Sequence, residues 1–431
     1  MTAADVCVIL IAVSLPWSVT LVAVFAVAWL VAMAPLLELS AFLQSLKRPI
    51  SALPVALFVL AAVGTLWSDA AWGVRLYAVG PTVKMLALPL LFFHFERSQR
   101  GAHVLWAFLL SCTLLLAMSW IVAIEPALAL KRDATYGVPV KNYIDQSQEF
   151  ALCAVALAFP IVTLWRTGRT WLAAALAAVA LSFVVNMTFV VVSRTALVTM
   201  PIMLAVFAIL HLRWRSIVII LCALTVLAGL AWATSPHLRS TGHAFVRDYR
   251  LYSEENVPTS IGNRLQFWQK SLRFLGEAPL FGHGTGSTRG LFEHAAIGQT
   301  GAAAEVISNP HNQTLYAAVQ WGVIGVAVLI AMWLVHLRLF RGDGLEAWIG
   351  LLVVVQNIFT SLFNSHLFDF HEGWMYVLGV GVAGGMLLRR RAGDRPGNEK
   401  LRSAIKAGTP PADGLSAALP RQHRDIVWSA K

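Results

Sequence analysis

The sequence is built from apolar runs of about 20 residues, the length an α-helix needs to cross a bilayer core. Inside that core each N–H and C=O must be paired within the protein, so runs of this kind cross as helices. Such runs lie at 51–67, 72–93, 104–124, 147–165, 170–189, 195–210, 216–234, 313–336, 345–364 and 372–388. The stretch 6–43 is too long for one span, and Pro16-Trp17 interrupts it. It reads as two short helices joined by a tight turn near Ser18. The expected fold is all-α, a polytopic transmembrane helix bundle of about twelve spans.

Composition agrees. Charged residues make up 13% of the 431 residues, against about 25% in a soluble domain. Mean hydropathy is +0.68. The formal net charge of +11 raises nucleic acid as a partner, and the distribution of the charge removes it. Lys47-Arg48, Arg97 with Arg100, Arg166 with Arg169, Arg213 with Arg215, Arg338 with Arg341, and Arg389-Arg390-Arg391 occupy alternate connections. The positive-inside rule makes those connections, and both termini, cytoplasmic. Cys7, Cys112, Cys153 and Cys222 each sit in an apolar run without metal or redox spacing. The first run lacks the basic start and cleavage site of a secretory signal, so it is expected to stay as a membrane helix. Residues 1–391 read as one membrane domain. Residues 392–431 are rich in Pro, Gly and Ala and read as a disordered cytoplasmic tail.

Three connections face outward: about 125–146, the long stretch 235–312, and 364–372. A loop of the second length is functional or disordered, and this one carries a helical pattern. Ile261, Leu265, Trp268, Leu272 and Leu275 share one helical face, with Ser260 as an N-cap. Lys270 and Arg273 are expected on the solvated side. Arg264 lies at the edge of the apolar stripe, where a guanidinium needs a partner. An anionic ligand, a carboxylate such as Asp248 or Glu255, or snorkelling would each serve. The glycine-rich segment 277–286 reads as a structural turn. His311 and Asn312 stand at the start of the 313–336 helix, where dipole and free N–H groups favour anions and keep an imidazole neutral. His311 is there a cap residue or a general base.

Arg194 interrupts two apolar runs and is either a snorkelling end residue or a cation facing an internal cavity, the reading its very short connection favours. His366, Asp369, His371 and Glu372 contain metal-ligand types but no metal motif, and read as a solvated loop. Lys141, next to the following helix, is a second candidate for attracting an anion, ahead of Arg132.

His311-Asn312, nine residues, Gly322, two residues and Gly325 resemble the His-Asn…Gly-x-x-Gly signature of O-antigen ligases, which share a membrane superfamily with the O-antigen polymerases. Ser193-Arg194-Thr195, Asn263-Arg264 and the turn at 279–284 look like superfamily features in the same order. The resemblance implies a C-type glycosyltransferase architecture in the bacterial inner membrane, with a periplasmic active site in the large loop. It implies transfer of O-antigen polysaccharide from undecaprenyl diphosphate to the lipid A-core oligosaccharide, inverting and without metal or other cofactor. His311 becomes the base, and Arg194 with Arg264 the diphosphate ligands. Lys141, Asn312, Arg247 (which fits the family's Arg-x-x-x-Leu pattern) and Arg289 become further candidate contacts. The nearest alternatives are an O-antigen polymerase and a protein-glycosylating oligosaccharyltransferase. A flippase or transporter of lipid-linked sugars is the alternative of another class.

Overall fold

The computed structural model describes residues 2–131, 136–191 and 193–393. Among them all regular structure is helical. The N-terminal hairpin α1 (Ala3–Ser14) and α2 (Val19–Met33) is followed by a short α3 (Leu39–Leu46). Then come α4 (Pro49–Val63), α5 (Trp72–Val83), α6 (Ala87–Arg97) and α7 (Gly101–Ile124). The next group is α8 (Tyr143–Ala156), α9 (Ala158–Arg166), α10 (Thr170–Phe189), α11 (Arg194–His211) and α12 (Trp214–Thr234). The long connection carries α13 (Pro236–Glu255), α14 (Ser260–Glu277) and α15 (Thr288–Ala296). The chain closes with α16 (Gln313–Leu339), α17 (Leu345–Thr360) and α18 (Phe370–Gly393).

Seven helical segments among the described residues are long and apolar enough to cross a membrane: Val19–Leu36, Pro49–Leu66, Trp72–Arg97, Gly101–Ile124, Tyr143–Arg166, Thr170–Phe189 and Gln313–Leu339. Ala3–Ser14, Val198–His211 and Leu345–Thr360 are shorter apolar helices. The break expected near Ser18 is present, and Ser18 Oγ accepts from Leu21 N to start α2. The tail from residue 394 and Arg132 lie outside the described residues.

In the bundle α18 runs along α6 and α17, α1 packs on α2 and α7, and α16 packs on α4, α17 and α14. α8 is held by α10, α11 and α17. Several buried polar groups are paired across helices, as a low-dielectric interior favours. His336 bridges Tyr376 Oη at 2.7 Å and the Ile50 carbonyl at 3.0 Å. Trp29 Nε1 donates to His94 Nδ1, and His94 Nε2 meets Asp5 Oδ1 at 3.1 Å.

The long connection is anchored by an exchange of main-chain hydrogen bonds. Gly322 inside α16 has φ 61° and ψ −157°, so the helical ladder fails there. Among the groups then left without helical partners are the carbonyls of Val319 and Gln320, and the N–H groups of Val323 and Ile324. The segment 279–284 supplies all four. His283 N donates to Val319 O and Gly284 N to Gln320 O, both at 2.9 Å. Val323 N donates to Pro279 O at 2.8 Å and Ile324 N to Leu280 O at 3.4 Å. Thr285 extends the lock to α4: its Oγ1 donates to Ala61 O and accepts from Trp321 Nε1. The glycine-rich turn is thus structural, as its sequence suggested.

The amphipathic helix α14 forms where expected, with two differences. Its N-cap is Thr259, whose Oγ1 accepts from Gly262 N, and Ser260 is the first helical residue. The inward face is Gly262, Phe267, Lys270, Ser271 and Phe274, while Leu265 and Leu272 of the expected stripe are exposed. Lys270, expected to be solvated, is buried because the 3-10 turn Gly301–Ala304 folds over it. Its Nζ donates to Ala303 O and lies 5.6 Å from the Phe292 ring centre. Burial, with Arg273 nearby, pushes this ammonium below the ordinary lysine value.

A Cβ at position 322 would run into the Leu280 carbonyl on a backbone that L-residues avoid. Gly322→Ala is therefore expected to lower stability by about 1–3 kcal/mol. Gly290→Ala, on α15 with open space at its Cβ, should be neutral or mildly stabilising. Thermal unfolding of the detergent-solubilised variants measures the contrast, and equal unfolding temperatures would contradict it.

Candidate functional site

His311 and Arg264 reach one place from different parts of the chain. α14 carries Arg264, and the segment before α16 carries His311. The two segments are brought together because Phe267 and Phe274 of α14 pack with Phe292 of α15 and Val319 of α16 in a small apolar cluster. The His311 ring lies against Phe267, with ring centres 6.1 Å apart. His311 adopts a left-handed backbone, φ 52°, which turns the chain sharply just before α16. Its N–H donates to Asn309 Oδ1 at 2.9 Å. Asn312 then caps α16, its Oδ1 accepting from Thr314 N and Leu315 N. Asn312 is thus committed to the helix end.

The turn between α17 and α18 completes the surroundings of His311. Asn364 Oδ1 lies 2.8 Å from His311 Nδ1, and Asn364 Nδ2 donates to Asp369 Oδ2 at 2.7 Å. Burial holds the His311 imidazole below the usual histidine value; Arg264 and His366 act in the same direction. The hydrogen bond with Asn364 and the charge of Asp369 oppose them. Arg264 is near enough for its charge to oppose protonation of the ring.

Behind Asp369 the polar groups continue inward. His366 Nδ1 lies 3.2 Å from Asp369 Oδ2 and 3.5 Å from Glu372 Oε1. His371 Nδ1 meets Asp145 Oδ2 at 2.6 Å, and Lys141 Nζ meets Glu149 Oε1 at 3.1 Å. Lys84 Nζ donates to the carbonyls of Phe368 and Asp369. The expectation of a solvated loop is overturned: His366, His371 and Glu372 are all buried. Lys141 stands against Glu149 and the histidines against the other carboxylates, the kind of pairing that buried acids require. His366, Asp369 and Glu372 each bring one ligand atom within 4.8 Å of the others, a set able to hold a cation. The Lys84 ammonium is a cationic group that the chain itself places beside Asp369 and Glu372.

The remaining sequence candidates fall elsewhere. Lys141 is enclosed, bonded to Glu149 and to the Leu15 carbonyl. Arg289 pairs with Glu293 one turn along α15 on an exposed face, and Arg247 is exposed on α13. Arg194 opens α11, with Ser193 as the preceding cap residue; its side chain lies outside the described residues. Sequence reasoning missed Asn364, Asp145, Glu149 and Lys84. The two acids at the start of α8 carried a usable signal, since ionisable groups in membrane helices face the bundle interior. Asn364 carried none beyond its place in a turn.

Residues 187–330 match a family model described as O-antigen ligase. The matched stretch contains Arg194, Arg264, the 279–284 turn, His311 and Gly322. An uncharacterized protein of Haemophilus influenzae is 27% identical over 195 residues, 42% of this chain. The chain spans about half the length of that relative (48%).

A histidine whose conjugate acid is destabilised by burial stays neutral at pH 7. If His311 accepts a proton during turnover, activity should hold through neutral pH and fall only below the ordinary histidine value of about 6.5. A pH–rate profile of kcat/KM checks this, and an acid limb above pH 7 would contradict it.

Proposed function

We propose that the chain is a member of the O-antigen ligase family, whose model matches residues 187–330, and that it transfers a polysaccharide from undecaprenyl diphosphate to a sugar hydroxyl of the lipid A core. The observation that carries this reading is that α14, the helix of Arg264, packs through Phe267 on the His311 ring, bringing a guanidinium and an imidazole kept neutral by burial to one end of a membrane helix bundle. In this reading the chain crosses the bacterial inner membrane about twelve times, in a C-type glycosyltransferase architecture. Both termini are cytoplasmic and the site is periplasmic, in keeping with the basic residues on alternate connections. The exposed Leu265 and Leu272 of α14 lie along the membrane edge, beside the lipid substrates.

The chemistry needs few parts. His311 removes the proton as the acceptor hydroxyl attacks the anomeric carbon. The new glycosidic C–O bond forms while the bond from that carbon to the phosphate oxygen breaks. The electron pair leaves on the diphosphate, and the anomeric centre inverts. Arg264, with Arg194 from α11, holds the diphosphate and stabilises its growing charge, since a guanidinium grips phosphate oxygens in a bidentate manner. The donor carries its own activated leaving group, so neither nucleotide nor metal enters the scheme.

Purified protein in nanodiscs, given undecaprenyl-diphosphate glycan and lipid A core, should form the joined product without ATP or added metal. Glycan joined instead to a second lipid-linked chain would identify a polymerase, and glycan joined to protein an oligosaccharyltransferase. Movement of donor across the bilayer without bond formation would identify a transporter. His311→Ala should lower turnover by about 10²–10⁴-fold, the usual weight of general base catalysis. Arg264→Lys should cost about 10–100-fold, as expected for one or two lost charge-assisted hydrogen bonds. Wild-type rates in both variants would remove the two assigned roles.

A further inference from the structure

We infer that Asn364, itself oriented by Asp369, is a positioning residue that holds His311 in the tautomer protonated on Nδ1, leaving Nε2 as the bare, proton-accepting nitrogen. The inference rests on reading His311 as the base.

The direction of each hydrogen bond follows from the chemistry of its partners. An ionised carboxylate only accepts, so the group of Asn364 lying 2.7 Å from Asp369 Oδ2 is its NH2. That orientation turns Asn364 Oδ1 toward the imidazole, 2.8 Å from Nδ1. A carbonyl oxygen also only accepts. His311 Nδ1 must therefore carry the hydrogen, and in the neutral ring Nε2 then holds the lone pair. Asp369 fixes the amide, and the amide fixes the tautomer.

The ring is also held in place as one unit with the α17–α18 turn. Asn309 Oδ1 accepts from both His311 N and Ser365 Oγ, at 2.9 and 2.8 Å. Gln313 N donates to Ser361 O, Gln313 Oε1 accepts from Leu367 N, and Asn312 Nδ2 donates to Leu362 O. These bonds tie the start of α16 to the turn that carries Asn364 and Asp369. The charged or titratable groups facing His311 are Arg264 from α14 and His366 with Asp369 from that turn. When His311 takes a proton, the Asn364 carbonyl and Asp369 stabilise the imidazolium that Arg264 opposes.

The test is the pH–rate profile of kcat/KM for the full-length protein in nanodiscs, with undecaprenyl-diphosphate glycan and lipid A core as substrates. Asn364→Ala should lower kcat by about 10²-fold, the scale of a misplaced catalytic group, with donor KM little changed. Asn364→Asp keeps an acceptor on Nδ1 and adds negative charge, so its acid limb should move up by about one pH unit or more, with activity recovered at alkaline pH. Asp369→Asn removes stabilising charge and frees the amide to turn over, so its acid limb should move down. A purely structural role would lower yield and melting temperature without moving the limb. An acid limb of Asn364→Asp coincident with wild type, or a wild-type rate in Asn364→Ala, would overturn the inference. Where Asn364→Asp does not accumulate as monodisperse protein, an unmoved limb in Asp369→Asn overturns it instead. Full activity of His311→Ala marks a different failure, that of the base assignment itself.

Discussion

Four main-chain hydrogen bonds between a broken membrane helix and a glycine turn hold the long connection to the bundle. An unpaired N–H or C=O in an apolar interior costs several kcal/mol, so the break at Gly322 is tolerable only with the 279–284 segment seated in it. Everything the connection carries inherits its position from that seat. α14 leads directly into the turn, and its Phe267 and Phe274 pack against α15 and Val319 of α16. Arg264 is thereby fixed relative to the start of the same helix, where His311 stands.

A second constraint is charge in an apolar medium. The bundle encloses Asp145, Glu149 and Glu372, a combination that could not stay buried unpaired. Lys141 bonds Glu149, His371 bonds Asp145, and His366 lies against Asp369 and Glu372. The series reaches from the interior to Asn364 and His311. His311 is thus one end of a polar column, near enough to Arg264 to feel its charge.

The helices were legible because a bilayer demands continuous apolar segments, and the basic residues bounding them repeat along the chain. The break at Ser18, the turn at 277–286 and the helix over 261–275 were readable for similarly local reasons. The inward face of α14 was not. Its sequence has apolar residues on two sides, Leu265 with Leu272 and Phe267 with Phe274, and periodicity alone cannot say which side meets protein. Lys270 misled for the same reason, since only the fold of residues 301–304 covers it. His311 and Arg264 stood out in the sequence through type and position. Asn364 escaped because its hydrogen bond to His311 exists only when two turns about fifty residues apart are brought together.

The lock at Gly322 also bears on how the chain is made. A ribosome delivers the chain from its N-terminus, so the 279–284 turn emerges before α16. The helix with the defective ladder thus enters the bilayer after the segment able to repair it. Were the order reversed, Val319, Gln320, Val323 and Ile324 would wait in lipid with open valences. A circular permutation placing α16 ahead of the turn would preserve every contact of the finished fold and remove only this temporal advantage.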